Sequence, residues 1–197
     1  MADPWLIAGL GNPGDRYAKT RHNVGAMAVE RLCSRFGVSL KKVRFVAATA
    51  ADARVGDTQV ILAIATTYMN ESGPPLASLA RKRDVPAERV IAVHDELDLP
   101  FGALRLKFGG STAGHHGLDS LVSGLRTPDF YRVRLGIGRP PGRQDPVDFV
   151  LTPFAARERD EVGLLVEDGA DAAAAIVADG LEAAQGRFNR AGPPAAG

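Results

Sequence analysis

The sequence predicts an α/β fold: a single domain in which a twisted mixed, mostly parallel sheet lies between two layers of helices. Two observations predict it. Short apolar runs recur along the chain, at Trp5–Leu10, Gln59–Ala65, Val90–His94, Ala103–Phe108 and Arg132–Gly138. Segments of helical periodicity lie between them. Strands that alternate with helices form sheets covered on both faces.

The elements follow in chain order. Trp5–Leu10 is the first strand. In Asn23–Phe36, Val24, Met27, Ala28, Leu32 and Phe36 recur at steps of three and four, and Gly37 is a stop signal. A weaker strand lies near Val43–Thr49. Leu76–Arg83 and Leu118–Leu125 read as short helices. Phe154–Gln185 is a long Ala- and acid-rich helical region, with interruptions expected at Gly163, Gly169 and Gly180. The 197 residues suit one domain with a real core, expected over residues 1–191. The tail of residues 192–197, Gly-Pro-Pro-Ala-Ala-Gly, is expected to be disordered.

Composition narrows the function classes. No run approaches the roughly 20 apolar residues of a membrane-spanning helix. The opening Met-Ala-Asp-Pro-Trp lacks the basic and apolar regions of a secretory signal. Cys33 is the single cysteine, so no intrachain disulfide forms and a reducing, cytoplasmic setting is expected. Among helix-forming neighbours, Cys33 reads as a small core residue.

A net charge of +1 hides an asymmetry. Arg16, Lys19, Arg21, Arg31, Arg35, Lys41, Lys42 and Arg44 crowd residues 14–44, against two acids. Arg105, Lys107, Arg126, Arg132, Arg134, Arg139 and Arg143 crowd residues 101–143, again against two. Residues 144–186 hold ten acids against two arginines. Either the acidic helices simply balance the surface, or the two basic stretches converge on a polyanion.

Several motifs carry candidate chemistry. Gly9-Leu10-Gly11-Asn12-Pro13-Gly14 fits the dinucleotide fingerprint after a strand. The helix that should open at the third glycine is absent, because Asp15–His22 is polar and basic. The glycines read instead as a tight turn that presents Asn12 at a strand's C-terminal end, the edge where open sheets bind ligands. His22 precedes the Asn23 helix, whose positive N-terminus disfavours an imidazolium and suits a base. Asn23 is a good N-cap. Val90–His94 ends in Asp95, Glu96 and Asp98; a carboxylate such as Asp95 can hold an imidazole in one tautomer. His94, Asp95 and Asp98 do not have the spacing of a zinc site, so no metal and no cofactor is expected. Thr67–Gly73 sets Tyr68, Met69 and Asn70 at another strand end. Lys107–Leu118 is a Gly-rich loop that opens a helix and favours anions, without a Walker A pattern.

Together and in this order these blocks resemble bacterial peptidyl-tRNA hydrolases. The matching blocks are Gly9–Gly14 with Tyr17, Arg21–Gly25, Thr67–Asn70, His94–Asp98 and Arg105–Leu118, with Arg132–Gly138 and Asp148–Leu151 beyond them. The resemblance spans about residues 5–155 and implies an esterase that releases tRNA and peptide from peptidyl-tRNA during translation, as a cytoplasmic monomer without cofactor. It implies His22 as the general base, Asp95 as its carboxylate partner, Asn12 as a discriminator of blocked from free amino groups, and Asn70 as a grip on the peptide-side backbone. Tyr17, Tyr68 and Met69 would line the channel, Tyr68 standing where Phe is common. Lys107 and Arg134 would clamp tRNA phosphates. One departure stands out: the family pattern Gly-His-Asn-Gly-Leu is here Gly114-His115-His116-Gly117-Leu118. A neutral imidazole at His116 still offers a donor and an acceptor, but it is bulkier than an amide. The competing reading is an RNA-binding protein impaired in catalysis, as in a plant organelle splicing factor of related fold.

Overall fold

The computed structural model describes residues 3–192. Seven strands form one sheet in the order β2-β3-β4-β1-β5-β7-β6. The centre is parallel: β1 (Trp5–Gly9) lies between β4 (Thr58–Ala65) and β5 (Val90–Glu96), and β7 (Tyr131–Gly136) follows β5. Antiparallel strands close both ends, β2 (Lys41–Lys42) and β3 (Ala48–Val55) on one side and β6 (Leu104–Phe108) on the other. All seven residues of β5 are buried, as a strand covered on both faces should be.

Helices cover both faces. α1 (Val24–Phe36), α5 (Arg159–Asp179) and α6 (Leu181–Phe188) pack on one, around Ile7, Leu32, Val133 and Ile176. α2 (Gly73–Lys82) and α3 (His116–Leu125) pack on the other, around Leu6, Leu76, Leu121 and Phe130. The short α4 (Pro146–Val150) sits at the rim, capped by Asp145.

The structure corrects two expectations. The segment near Val43–Thr49 is mostly a turn, and the strand beside it is the longer β3. Alanine and threonine weaken the apolar alternation of that strand. α5 runs unbroken through Gly163 and Gly169 and ends only at Gly180, whose φ is +83°. Gly169 lies against Leu135, where a Cβ would crowd the leucine side chain, so that glycine permits close packing instead of ending the helix. The disorder expected for residues 192–197 lies, from residue 193 on, outside those described.

The acidic helix does balance charge. Glu167 and Asp171 of α5 pair with Arg31 and Arg35 of α1. Two cations of the first basic stretch are thereby occupied.

The glycines of the first motif serve packing. A Cβ on Gly9 would meet the Gly25 carbonyl, and one on Gly25 would overlap the Val93 carbonyl. α1 therefore lies almost on the backbones of β1 and β5, which brings the turn before it, His22 included, to the end of β5.

Candidate active site

The site lies where the parallel strands β1, β4 and β5 end. A cavity of about 380 Å³ opens there, lined by Asn12, Tyr17, His22, Tyr68, Met69, Asn70, Asp95 and His116 among others. Eight of the ten residues singled out from the sequence thus share one cavity. Lys107 and Arg134 lie outside its wall.

Asp95 is the organising group. It belongs to buried β5 and is 2% exposed. Its carboxylate receives two imidazoles. His22 Nδ1 lies 2.9 Å from Oδ2 and 3.0 Å from Oδ1, and His115 Nε2 lies 2.8 Å from Oδ1. Burial alone would raise the carboxyl pKa; His22 and His115 outweigh it and hold Asp95 well below the ordinary carboxylate range.

The tautomers follow from the partners. His115 Nδ1 accepts the Gly117 and Leu118 amides at 3.1 and 3.2 Å, capping α3. That nitrogen carries no hydrogen, so Nε2 does, and it donates to Asp95. An ionised carboxylate only accepts, so His22 Nδ1 also carries a hydrogen. His22 Nε2 is left as a lone-pair nitrogen, with no hydrogen-bond partner among the described residues. His94 is fully buried and lies beside His115, with ring centroids 5.1 Å apart. Burial first, then the neighbouring His115 and Arg132, lower its pKa to about 3, so it is neutral. Its Nδ1 donates to the Asp95 carbonyl at 2.7 Å.

His115 is the residue the sequence reading passed over as one glycine-loop position among several. Its signal was the combination of an acceptor at a helix N-cap and a carboxylate at a facing strand end. His115→Ala is expected to lower kcat about ten-fold with little change in KM, the equivalent of one charge-assisted hydrogen bond. It should also cost about 1 kcal/mol of stability through the lost cap. Steady-state kinetics and thermal unfolding check both.

Asn23 does not cap α1 through its side chain. Its Oδ1 accepts the Asn12 amide at 2.8 Å and its Nδ2 donates to the Asn12 carbonyl at 2.9 Å. Asn12 Oδ1 in turn accepts the Met69 amide at 2.7 Å. The Asn12 side chain is thus fixed, and its Nδ2 has no hydrogen-bond partner among the described residues. Asn70 is exposed on the adjoining turn. Tyr17 and Tyr68 meet edge to face, centroids 6.3 Å apart, and Val147 and Leu151 add apolar surface. Arg21 ties His22 to the C-terminal half: it donates to the Pro153 carbonyl and to Glu158, both at 2.9 Å, and lies over the Phe149 ring.

His22, Asp95 and His115 offer ligand atoms within 4.8 Å of one another. Asp95 already accepts a hydrogen from each ring, and His115 cannot turn its lone pair to a cation without losing the α3 cap. The trio is therefore a hydrogen-bond chain, not a ligand set. His94, Asp95 and Asp98 form no such group among the described residues; Asp98 pairs with Arg139 at 2.9 Å.

Beyond Glu96 one face of β6 and β7 is basic. Arg105 pairs across from Arg134, and Lys107 from Arg132. Arg132 is buried and donates to the Ser111 and Gly110 carbonyls, so it shapes the Gly-rich loop. Arg134 contacts Glu96 at 3.2 Å, and Lys107 reaches the Ser111 carbonyl at 3.2 Å. Burial, then the charges of Arg134 and Arg132, push the Lys107 ammonium down. Such crowding of cations favours a bound anion.

Known proteins resemble this chain over nearly its whole length. The family model described as peptidyl-tRNA hydrolase matches residues 6–195. A peptidyl-tRNA hydrolase of Nocardia farcinica is 53% identical over 186 residues, covering 94% of this chain and 96% of that one. One of Kineococcus radiotolerans is 50% identical, with 96% and 98% covered. The crystal structure of the Acinetobacter baumannii peptidyl-tRNA hydrolase superposes with a TM-score of 0.89 at 32% identity, over 98% of both chains. A family model matched over residues 6–195, with relatives about half identical along nearly their whole lengths, makes this chain a member of the peptidyl-tRNA hydrolase family.

Proposed function

We propose that the chain hydrolyses the ester between a peptide's carboxyl group and the terminal ribose of tRNA, with His22 as the base that activates water. The observation that carries this reading is the chain His115–Asp95–His22, which leaves one imidazole nitrogen free at the cavity. His22 Nε2 takes a proton from water as the oxygen attacks the ester carbonyl. Asp95 stabilises the imidazolium that forms. The tetrahedral intermediate collapses, the bond to the ribose oxygen breaks, and His22 Nε2 returns the proton to that oxygen. No covalent enzyme intermediate is needed.

The fixed Asn12 amide offers an N–H. A peptidyl group has an acylated nitrogen, with a carbonyl bonded to it, where a free aminoacyl group carries an ammonium. A rigid N–H donates to that carbonyl and finds only positive charge and no acceptor on the ammonium, which supports Asn12 as the discriminator. Asn70, less restrained, grips the peptide-side backbone and the developing oxyanion. Tyr17, Tyr68 and Met69 bound the channel. Lys107 and Arg134 hold phosphates of the acceptor end, so affinity falls as salt rises. We place this activity in translation, on a cytoplasmic monomer that returns tRNA to use. No described helix is long and apolar enough to cross a membrane. The complete histidine–aspartate chain favours catalysis over the impaired RNA-binding reading.

The test is turnover of an N-blocked aminoacyl-tRNA beside the same tRNA with a free amino group. The blocked ester should be cleaved and the free one spared; no release above buffer would contradict the reading. His116 is exposed on the cavity wall, on the first residue of α3. Because it bears no hydrogen bond to the His22 chain among the described residues, His116→Asn is expected to change kcat less than about three-fold, within one weak hydrogen bond.

A further inference from the structure

The hairpin turn between β2 and β3 carries an unexplained ring. Phe45 is 88% exposed, and its φ of +63° lies in the left-handed region. That conformation is unfavourable for a bulky residue and normal for glycine. Here a strained turn holds an apolar ring out in water, where it contributes nothing to the core. The turn is nevertheless well fixed. Lys82 donates to the Arg44 carbonyl at 2.9 Å, Thr66 donates to the Ala47 carbonyl at 2.8 Å, and Val46 closes on Val43. The Arg44 guanidinium lies 4.6 Å from the centre of the Phe45 ring.

The surroundings are cationic. Lys41, Lys42 and Arg44 are exposed and have no ion pair among the described residues. Lys41, Lys42 and Lys82 border a shallow hollow of about 620 Å³. The turn also stands at the functional end of the sheet. β3 begins opposite Ala65, the last residue of β4, and the turn abuts the Thr66–Asn70 loop. In the strand order β2 and β6 are the two outermost strands, about 29 Å apart at ordinary strand spacing. The catalytic cavity lies between them.

We propose that Phe45 and its cations are a second RNA contact, on the opposite flank from Lys107 and Arg134. An unpaired base of the tRNA moiety stacks on the Phe45 ring, while Arg44, Lys41 and Lys42 meet its phosphates. An exposed ring beside unpaired cations matches a ligand with a π-face and a phosphate at every nucleotide. A nascent peptide of arbitrary sequence supplies neither regularly. The proposal rests on the tRNA-ester reading and adds to it a contact that touches no reacting atom.

The test compares two esters of one blocked amino acid, on tRNA and on adenosine alone. Phe45→Gly removes the ring and relieves the turn, so the fold is kept. It should raise KM for the tRNA ester about five-fold or more, as loss of one stacked base does. kcat, and the rate on the adenosine ester, should stay at wild-type values. Phe45→Tyr should restore KM, and Lys41→Ala with Lys42→Ala should flatten its salt dependence. An unchanged KM for Phe45→Gly would overturn the proposal, as would an equal defect on both esters or one that grows with peptide length. If wild type cleaves neither ester, the tRNA-ester reading falls on its own. Binding of uncharged tRNA by wild type and Phe45→Gly then decides the contact: weaker binding by the variant supports it and equal binding overturns it.

Discussion

Asp95→Asn is expected to lower kcat on peptidyl-tRNA by about 10³–10⁴-fold, the size of effect that follows when a catalytic histidine is forced into the wrong tautomer. The reason lies in the two rings that Asp95 serves. An ionised carboxylate accepts from His22 and His115 at once. An amide carries oxygen on one side only: with that oxygen at the Oδ1 place beside His115, its NH2 group stands at the Oδ2 place, 2.9 Å from His22 Nδ1, and offers that ring a donor where the carboxylate offered an acceptor. His115 cannot adapt, because its Nδ1 is committed to the Gly117 and Leu118 amides. The amide oxygen therefore goes to His115 and the NH2 to His22. His22 must then carry its hydrogen on Nε2, the nitrogen that should receive the proton of water. The substituted residue is nearly the same size in a fully packed strand, so folding and KM should change little. Steady-state kinetics on a blocked aminoacyl-tRNA, with thermal unfolding beside them, check the expectation.

The second large effect is on His22 itself. General base assistance contributes about 10²–10⁴ in rate. His22→Ala should lose that factor in kcat. KM should hold, because the channel rings, Asn12 and the basic flanks do not depend on the imidazole. The ring is 13% exposed at its side chain and lines the cavity, so its removal extends a space already open to small solutes. Asp95 would keep His115 as a partner.

Much of this site was legible in the sequence, for physical reasons. An apolar run that ends in carboxylates marks a strand C-terminus, and the run through Asp95 could be read so. Gly9–Gly14 marked a turn at another strand end. Order along the chain then tied Asn12, His22, Asn70 and Asp95 together, and the cavity holds all four. What stayed hidden depended on contacts between distant segments. His115 reaches Asp95 across twenty positions, and nothing local distinguishes its ring from that of His116. Asn23 looked like a cap because Asn favours caps, yet Asn12 offered it two backbone partners. Charge alone left open whether the two basic stretches converge on one polyanion. They lie on opposite flanks, because β2 and β6 are the two ends of the sheet and α5 neutralises the arginines of α1. The unbroken α5 was hidden because Gly169 fills a packing role that only Leu135 reveals.

The central claim is that His22 moves a proton between water and the ribose oxygen while Asp95 and His115 hold it. It is tested most directly by turnover of a blocked aminoacyl-tRNA by His22→Ala, with and without added imidazole. The account predicts a kcat about 10²–10⁴-fold below wild type, rising with imidazole concentration as the free base enters the space the ring has left. A His22→Ala protein that turns over at the wild-type rate without imidazole would contradict it.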